Sequence, residues 1–96
     1  MTTTDVLQAR RDEILRIAER HGARDVRVFG SVARGEASEH SDVDLLVTTR
    51  GETSAWFPAG LVAELERLLE RKVDVVTEDG LYWLLRRRIL REARPL

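Results

Sequence analysis

Two short apolar runs, each joined to a polar motif, constrain the fold of this chain more than any other feature. The first run, Val26–Phe29, ends directly in Gly30-Ser31, and the second continues from Asp42-Val43-Asp44 into Leu45–Val47. Such runs are typical of strands, and side chains alternate between the two faces of a strand. Asp42 and Asp44 are therefore expected on one face, roughly 7 Å apart along the chain.

Two carboxylates on one face of an apolar strand repel each other and lose hydration. Both effects are unfavourable unless a cation lies between the two groups. Carboxylate oxygens suit Mg²⁺, which keeps several waters and shares its coordination with substrate phosphates. The alternative is structural: Asp42 would be a solvated residue at the start of the strand, and Asp44 would form a surface salt bridge.

Gly30-Ser31 stands where a strand turns into a helical start. Glycine allows a ligand to approach the backbone, and free N–H groups with a serine hydroxyl suit phosphate oxygens. Gly-Ser is also a common turn sequence with no ligand. Arg34 follows within about one turn and could reach a phosphate or a carboxylate of the site, or could serve the structure alone.

Asp74 interrupts a third apolar run, Val73–Thr77. It could be an edge-strand charge that prevents aggregation. If its strand neighbours the second strand, Asp74 instead completes a three-carboxylate cluster with Asp42 and Asp44. Such a cluster can hold two metal ions about 4 Å apart, one with the triphosphate and one lowering the pKa of an attacking hydroxyl. Asp74 is also the best candidate for the general base.

Composition limits the other possibilities. The chain has 96 residues, which suit one small domain, expected over 1–96. Its 16 basic and 17 acidic residues give a formal net charge of −1, so no strong field favours nucleic acid or membrane. There is no cysteine for disulfides or thiolate metal sites. No apolar run approaches the length of a membrane span, and a cytoplasmic protein is expected.

The pattern predicts helices packed on a small mixed sheet, an α/β (α+β) fold. The expected order is helix, strand, short helix, strand, helix, strand, helix. These elements are expected at Val6–Arg20, Arg24–Phe29, Ser31–Gly35, Val43–Thr48, from Pro58 through the Leu61–Leu69 stripe, at Val73–Thr77 and at Leu81–Arg91. Since the link between the first two strands is short for a parallel crossover, a mixed sheet is expected.

Gly30-Ser31, ten intervening residues, Asp42-Val43-Asp44 and the later Asp74 resemble the active-site signature of the DNA polymerase β-like nucleotidyltransferases. The compact chain is most similar to the minimal nucleotidyltransferase (MNT, MntA-like) family. The resemblance implies that Gly30 and Ser31 hold the nucleotide phosphates. It also implies that Asp42 and Asp44 bind Mg²⁺ and that Asp74 is the third catalytic carboxylate.

Larger enzymes of this superfamily carry a second, helical domain for the acceptor, and these 96 residues leave no room for one. The acceptor site is therefore expected from a second copy, a partner protein or the acceptor itself. In the last helix Leu81, Leu84, Leu85 and Ile89 can face the sheet. Apolar residues on other faces of the chain could form a contact patch or close the ends of the core: Trp56, Phe57, Tyr82, Trp83, Leu90. Arg86-Arg87-Arg88 is interpreted as a solvated helix face, and direct binding of nucleic acid is not expected.

The resemblance implies an antitoxin that transfers AMP from ATP to a tyrosine of a partner HEPN-domain RNase toxin, in a hetero-oligomer. One alternative is a small-molecule nucleotidyltransferase of the aminoglycoside-modifying type, with an acceptor site built by a homodimer. A second alternative is an antitoxin that acts by binding alone.

Overall fold

The computed structural model describes residues 1–49, 51, 53 and 57–96. Arg50, interpreted from the sequence as a loop charge, lies outside the described residues. So does Trp56, interpreted either as part of a contact patch or as closing an end of the core. The described part contains four helices and four strands: α1 (Thr3–Ala9), α2 (Arg11–Arg20), β1 (Ala23–Phe29), β2 (Val43–Thr49), α3 (Ala59–Leu69), β3 (Val73–Thr77), α4 (Trp83–Glu92) and β4 (Arg94–Pro95).

The first predicted helix is two helices, so its prediction as one continuous element was wrong. Thr2 caps α1 through a reciprocal pair with Asp5, in which each side chain accepts the other residue's backbone N–H. The helix therefore starts three residues earlier than predicted. At Arg10 the backbone leaves helical geometry, with φ −108° and ψ 12°, and α2 begins at the next residue. The apolar pattern continues through this break, which is why the sequence reads as one helix.

The four strands form one mixed sheet in the order β3-β2-β1-β4. β1 pairs antiparallel with β2, and β2 pairs parallel with β3. The predicted mixed sheet and the fold class are therefore confirmed. β4 is two residues long and pairs with Arg27 and Val28 of β1, a length too short for a pattern to reveal.

The core lies between one face of the sheet and the first three helices. Every second residue of the central strand β2, namely Val43, Leu45 and Val47, is buried in this layer. The helices bury the residues that their spacing predicted, together with the matching strand positions: Leu7, Ile14, Ala18, Leu61, Leu65, Leu69, Val26, Val28, Val73 and Val75. The alternate residues of each strand, including Asp44 and Asp74, therefore point to the opposite face.

α4 is attached mainly by polar contacts. Arg86 Nη1 donates a hydrogen bond to the carbonyl oxygen of Glu78, and Arg34 pairs with Glu92. No α4 side chain is fully buried. Leu84 and Leu85, which the spacing allowed to face the sheet, are not buried against it, because both are exposed. Spacing alone shows which residues share one side of a helix, but not how closely that side packs on the sheet.

Candidate active site

Gly30 ends β1 in a conformation that brings the backbone against Asp44. Its φ is +71°, a left-handed region that glycine adopts without the steric penalty of a side chain. The preceding residue, Phe29, is the registered partner of Asp44 across the antiparallel β1–β2 pair. A Cβ added at Gly30 would collide with the Asp44 carboxylate. The glycine is therefore required both by the turn and by the space that Asp44 occupies.

Residues 30–35 form a turn rather than the predicted short helix. The N–H of Arg34 donates to the carbonyl oxygen of Gly30 at 3.1 Å, and the N–H of Glu36 donates to that of Ser31 at 2.9 Å. A second positive φ, +75° at Gly35, ends the turn before a helix can continue. Within the described chain, the N–H groups of residues 31–33 donate to no other residue, and such free groups in a tight turn favour an anion.

The loop that leads into Asp42 is fixed by hydrogen bonds that the sequence analysis did not identify. Thr3, fully buried in α1, donates from Oγ1 to the carbonyl oxygen of Ser41 at 3.0 Å. Its hydroxyl accepts a hydrogen bond from Arg71 Nε at 2.8 Å, and the Ser41 hydroxyl accepts one from the N–H of Ser38 at 2.7 Å. These contacts set the direction in which the chain enters β2, so they position the two aspartates that follow.

The structure brings the three predicted aspartates to one face of the sheet. Asp44 and Asp74 are registered partners across the parallel β2–β3 pair, and Asp42 lies two residues before Asp44. Asp44 is half-buried, whereas Asp42 and Asp74 are exposed. Among the described residues, none of these three carboxylates accepts a hydrogen bond or forms an ion pair. The surface salt bridge considered for Asp44 is therefore not formed within that part of the chain.

Burial raises the pKa of the Asp44 carboxyl above its ordinary value, and the charges of Asp74 and Asp42 raise it further. The positive charge of Arg34 acts in the opposite direction on the same pKa. A cation bound at this position would oppose the effects of burial, Asp74 and Asp42 on this pKa, because it would favour the ionised carboxylate. The electrostatics of the site therefore fit a metal ion bound near Asp44.

The carboxylates around Asp44 form only part of a metal site. Across residues 1–49, 51, 53 and 57–96, no three carboxylate or imidazole side chains converge closely enough to form a complete ligand set. Mg²⁺ is commonly held by one or two protein carboxylates, with water and substrate phosphates supplying the remaining ligands. Asp42 and Asp44 suit this pattern, with Asp74 beside them, provided that a nucleotide triphosphate completes the coordination.

Arg34 lies beside the site but is engaged by carboxylates. Its Nε contacts Glu36 Oε1 at 2.7 Å and its Nη1 contacts Glu92 Oε1 at 2.8 Å. The carboxylates raise the pKa of Arg34, chiefly through the hydrogen bond to Glu36. Because Glu92 belongs to α4, this ion pair ties the turn after β1 to the last helix. A phosphate bound here would compete with Glu36 and Glu92 for the guanidinium group.

These groups line an open cleft of about 540 Å³ between the sheet and α4. The predicted residues Gly30, Ser31, Arg34, Asp42 and Asp44 lie along it, but Asp74 does not line it. His40 and Ser41 form one rim, and Phe29 lies on the wall. Four α4 residues that sequence reasoning did not assign to the site complete the lining: Leu85, Arg88, Ile89 and Glu92. Their placement depends on how α4 docks, which no local pattern reveals.

The comparisons with known proteins agree with the fold and with the site motifs. A sequence model of the family described as "Nucleotidyltransferase domain" matches residues 11–96. The chain belongs to this nucleotidyltransferase family. The enzyme class predicted from the sequence is therefore confirmed. The family match spans the turn at Gly30-Ser31 and all three aspartates.

Among curated relatives of this nucleotidyltransferase is the protein adenylyltransferase MntA of Thermococcus cleftensis. It is 40% identical over 87 residues, which cover 91% of this chain and 85% of the relative. A provisionally named protein adenylyltransferase of Methanocaldococcus jannaschii is 41% identical over 81 residues, covering 84% of this chain and 87% of the relative. The predicted membership of the MntA-like group is confirmed by these similarities.

Solved structures share the fold. A provisionally assigned minimal nucleotidyltransferase is 52% identical, with a TM-score of 0.84 over 97% of this chain and 95% of the other. A toxin–antitoxin structure with AMP-PNP has a TM-score of 0.75 at 19% identity, covering 88% of this chain and 69% of the other. The toxin–antitoxin pair MntA-HepT has a TM-score of 0.68 at 17% identity, covering 91% and 68%. At these lower identities the likeness concerns the fold.

Among the described residues, no helix is both long enough and apolar enough to cross a membrane.

Proposed function

We propose that this nucleotidyltransferase is a Mg²⁺-dependent protein adenylyltransferase that transfers AMP from ATP to a tyrosine hydroxyl of a HEPN-domain toxin, and so acts as the antitoxin. The observation that carries the proposal is the registered pair of Asp44 and Asp74, which forms no ion pair among the described residues, with Asp44 lying against the Gly30 backbone. The relatives named protein adenylyltransferase and the MntA-HepT fold support the choice of acceptor.

Each predicted site residue has a role in this proposal. The free N–H groups after Gly30 and the hydroxyl of Ser31 hold the nucleotide phosphates. Asp42, Asp44 and Asp74 hold two Mg²⁺ ions. When bound, Mg²⁺ supplies neutralisation of the triphosphate charge and lowers the pKa of the attacking hydroxyl. Because Asp44 lies against the Gly30 backbone, the phosphate-binding turn and the carboxylates are held at a fixed separation.

The transfer itself is a substitution at the α-phosphorus of ATP. A bond forms between the acceptor oxygen and the α-phosphorus, and the bond to the β-phosphate oxygen breaks, so pyrophosphate leaves. The hydroxyl proton passes to a carboxylate, for which the exposed Asp74 is proposed. Arg34 is proposed as a phosphate contact that becomes available when the triphosphate displaces Glu92 or Glu36.

The open cleft supports an acceptor that arrives on another molecule. Its lining leaves the carboxylates accessible from solvent, with the sheet on one side and α4 on the other. A protein tyrosine can enter such a cleft from above, whereas a small acceptor needs further walls to be held. This difference favours the protein acceptor over the aminoglycoside-type alternative.

The test uses ATP labelled at the α-phosphate, incubated with this chain in three mixtures: with a candidate HEPN-domain toxin, with a panel of aminoglycosides, and alone. The proposal expects label on a tyrosine of the HEPN protein, located by peptide mass spectrometry, only when Mg²⁺ is present. Label on a small molecule without any partner protein would favour the small-molecule nucleotidyltransferase of the aminoglycoside-modifying type. Neutralisation of the toxin in cells by a triple Asp42/Asp44/Asp74→Asn variant would favour the antitoxin that acts by binding alone.

A further inference from the structure

The N-terminal turn of α4 is apolar and exposed on every side. Four consecutive residues are well exposed: Tyr82 by 57%, Trp83 by 74%, Leu84 by 58% and Leu85 by 45%. Since successive helical residues are rotated by about 100°, these four side chains point in directions that span most of the helix circumference. The turn, here called the α4 knob (Tyr82–Leu85), therefore projects from the body of the protein.

Such a turn is unusual on a protein surface. A helix segment that is apolar all round is normally buried, and a large exposed apolar patch usually marks an interaction site. The rings of Tyr82 and Trp83 lie 6.1 Å apart at 54°, so each restricts the other before any partner binds. Tyrosine and tryptophan are also the residues that most often dominate the binding energy of protein interfaces. The α4 knob therefore has the composition and exposure of a surface that contacts another molecule.

A basic strip follows the α4 knob along the same helix. Arg87, Arg88 and Arg91 are exposed, and with Leu84 and Glu92 they line a shallow groove of about 370 Å³. Within the described chain Arg87 and Arg91 form no ion pair, and Arg88 approaches Glu92 only to 3.9 Å. A molecule that covers the α4 knob therefore meets an excess of positive charge beside it.

This charge disfavours a second copy of the chain as the occupant. If two α4 helices packed in parallel, the arginines of one would lie beside those of the other. If they packed antiparallel, each basic strip would lie near the positive N-terminal end of the other helix. Both arrangements are repulsive, whereas carboxylates at the rim of a partner's apolar cavity would be attracted.

We propose that the α4 knob and the basic strip form the docking surface for the acceptor protein, which presents an apolar cavity rimmed by Asp or Glu side chains. This inference rests on the proposed function. Leu85 belongs to the α4 knob and also lines the cleft that contains Asp44. An acceptor seated on the α4 knob is therefore next to the cleft, close to where its tyrosine must react.

The test compares Trp83→Ala and the double variant Arg87→Glu/Arg91→Glu with wild type. The matched control is Arg16→Glu, a charge reversal at an exposed position of α2 away from the cleft. Three quantities are measured: affinity for the HEPN-domain protein by calorimetry, KM and kcat for that protein, and affinity for ATP with Mg²⁺. Both test variants are expected to weaken partner binding and raise KM by at least 10-fold, with unchanged ATP affinity, while Arg16→Glu behaves as wild type.

The readouts separate this inference from the proposed function. If wild type binds the HEPN protein but transfers no AMP, the proposed function fails, and the binding measurements still test the surface. If both variants bind the partner as tightly as wild type, the docking surface is wrong. Sedimentation of the free chain gives a further outcome: a wild-type dimer that Trp83→Ala converts to a monomer, with no change in KM, would overturn the inference in favour of self-association.

Discussion

Asp44 and Asp74 lie side by side on parallel neighbouring strands, on the face of the sheet that the first three helices leave uncovered. Burial raises the pKa of the Asp44 carboxyl, and repulsion from Asp74 and Asp42 raises this pKa further. The arrangement is therefore unfavourable in the protein alone and becomes favourable when a divalent cation binds.

Mg²⁺ with ATP should stabilise wild type but not Asp44→Asn. A ligand that binds only the folded state at 100 times its Kd adds about 2.7 kcal/mol, which is a rise in Tm of roughly 10 °C or more for a domain of this size. Asp44→Asn removes a ligand, so its shift should be small. Asp79→Asn, at an exposed loop position, is the control and should shift as wild type does. Equal shifts in all three proteins, measured by thermal unfolding, would rule out Asp44 as a metal ligand.

Gly30→Ala should cost more stability than Gly35→Ala. Both positions have positive φ, which costs a non-glycine residue about 1–2 kcal/mol. At Gly35 a Cβ meets no atom within 4 Å, whereas at Gly30 it collides with the Asp44 carboxylate. In an Asp44→Ala background the two glycine substitutions should therefore become similar in cost. Chemical denaturation of six proteins, namely wild type, Asp44→Ala and each glycine substitution in both backgrounds, measures this coupling; purely additive costs would show that Gly30 and Asp44 do not compete for space.

The stability of the metal-free protein should depend on the protonation of Asp44. Since the folded state raises the pKa of this carboxyl, it binds the proton more tightly than the unfolded state does. The contribution of Asp44 is most favourable below its unfolded pKa and is lost as pH rises through the raised folded pKa. In EDTA, Asp44→Asn should therefore match wild type near pH 3 and exceed its Tm by a few degrees at pH 7. A constant difference across this range would contradict the assigned direction.

Glu64 should act in the opposite sense. It accepts hydrogen bonds from His21 Nε2 at 2.9 Å and Arg20 Nη2 at 3.0 Å, which join the end of α2 to α3. The hydrogen bond from His21 is the largest cause of a lowered pKa at Glu64, and the charge of Arg20 contributes. Its stabilisation is present above the unfolded glutamate pKa and is lost as pH falls through the lowered folded value.

Glu64→Gln should consequently lower Tm at pH 7 and match wild type near pH 2–3, where both side chains are neutral. Glu19→Gln, an exposed α2 position, is the control and should show no loss at pH 7. An unchanged Tm for Glu64→Gln at neutral pH would mean that the contacts with His21 and Arg20 do not stabilise the packing of α2 on α3.

The sequence predicted those parts of the site that depend on local spacing. Alternation along one strand places Asp42 and Asp44 on one face, and the turn after Phe29 requires no distant information. The position of Asp74 depended on which strands are neighbours, so it was conditional until the β2–β3 pairing was known. The hydrogen bond from the Thr3 hydroxyl to the Ser41 carbonyl oxygen joins residues 38 positions apart, and no periodic pattern in the sequence predicts such a contact.

The last helix shows where spacing is insufficient. Its apolar residues predicted a face toward the sheet, but the contacts that attach it are polar, from Arg86 to Glu78 and from Arg34 to Glu92. These partners lie 8 and 58 residues apart in sequence. The Arg34–Glu92 pair attaches the C-terminal end of α4 beside the cleft, whereas the α4 knob at the other end of the helix is exposed.

The central claim is most directly tested by the intact mass of the HEPN-domain protein after incubation with ATP, Mg²⁺ and this chain. Wild type should add the mass of AMP to the partner, and EDTA should prevent the addition. Asp42→Asn and Asp44→Asn should each reduce the initial rate by about 100-fold or more. Each substitution removes a direct metal ligand, and loss of a ligand costs more activity than the roughly 10–100-fold lost when a residue that hydrogen-bonds to a ligand is removed. Full-rate transfer by both variants would contradict the assignment of these carboxylates as the catalytic metal site.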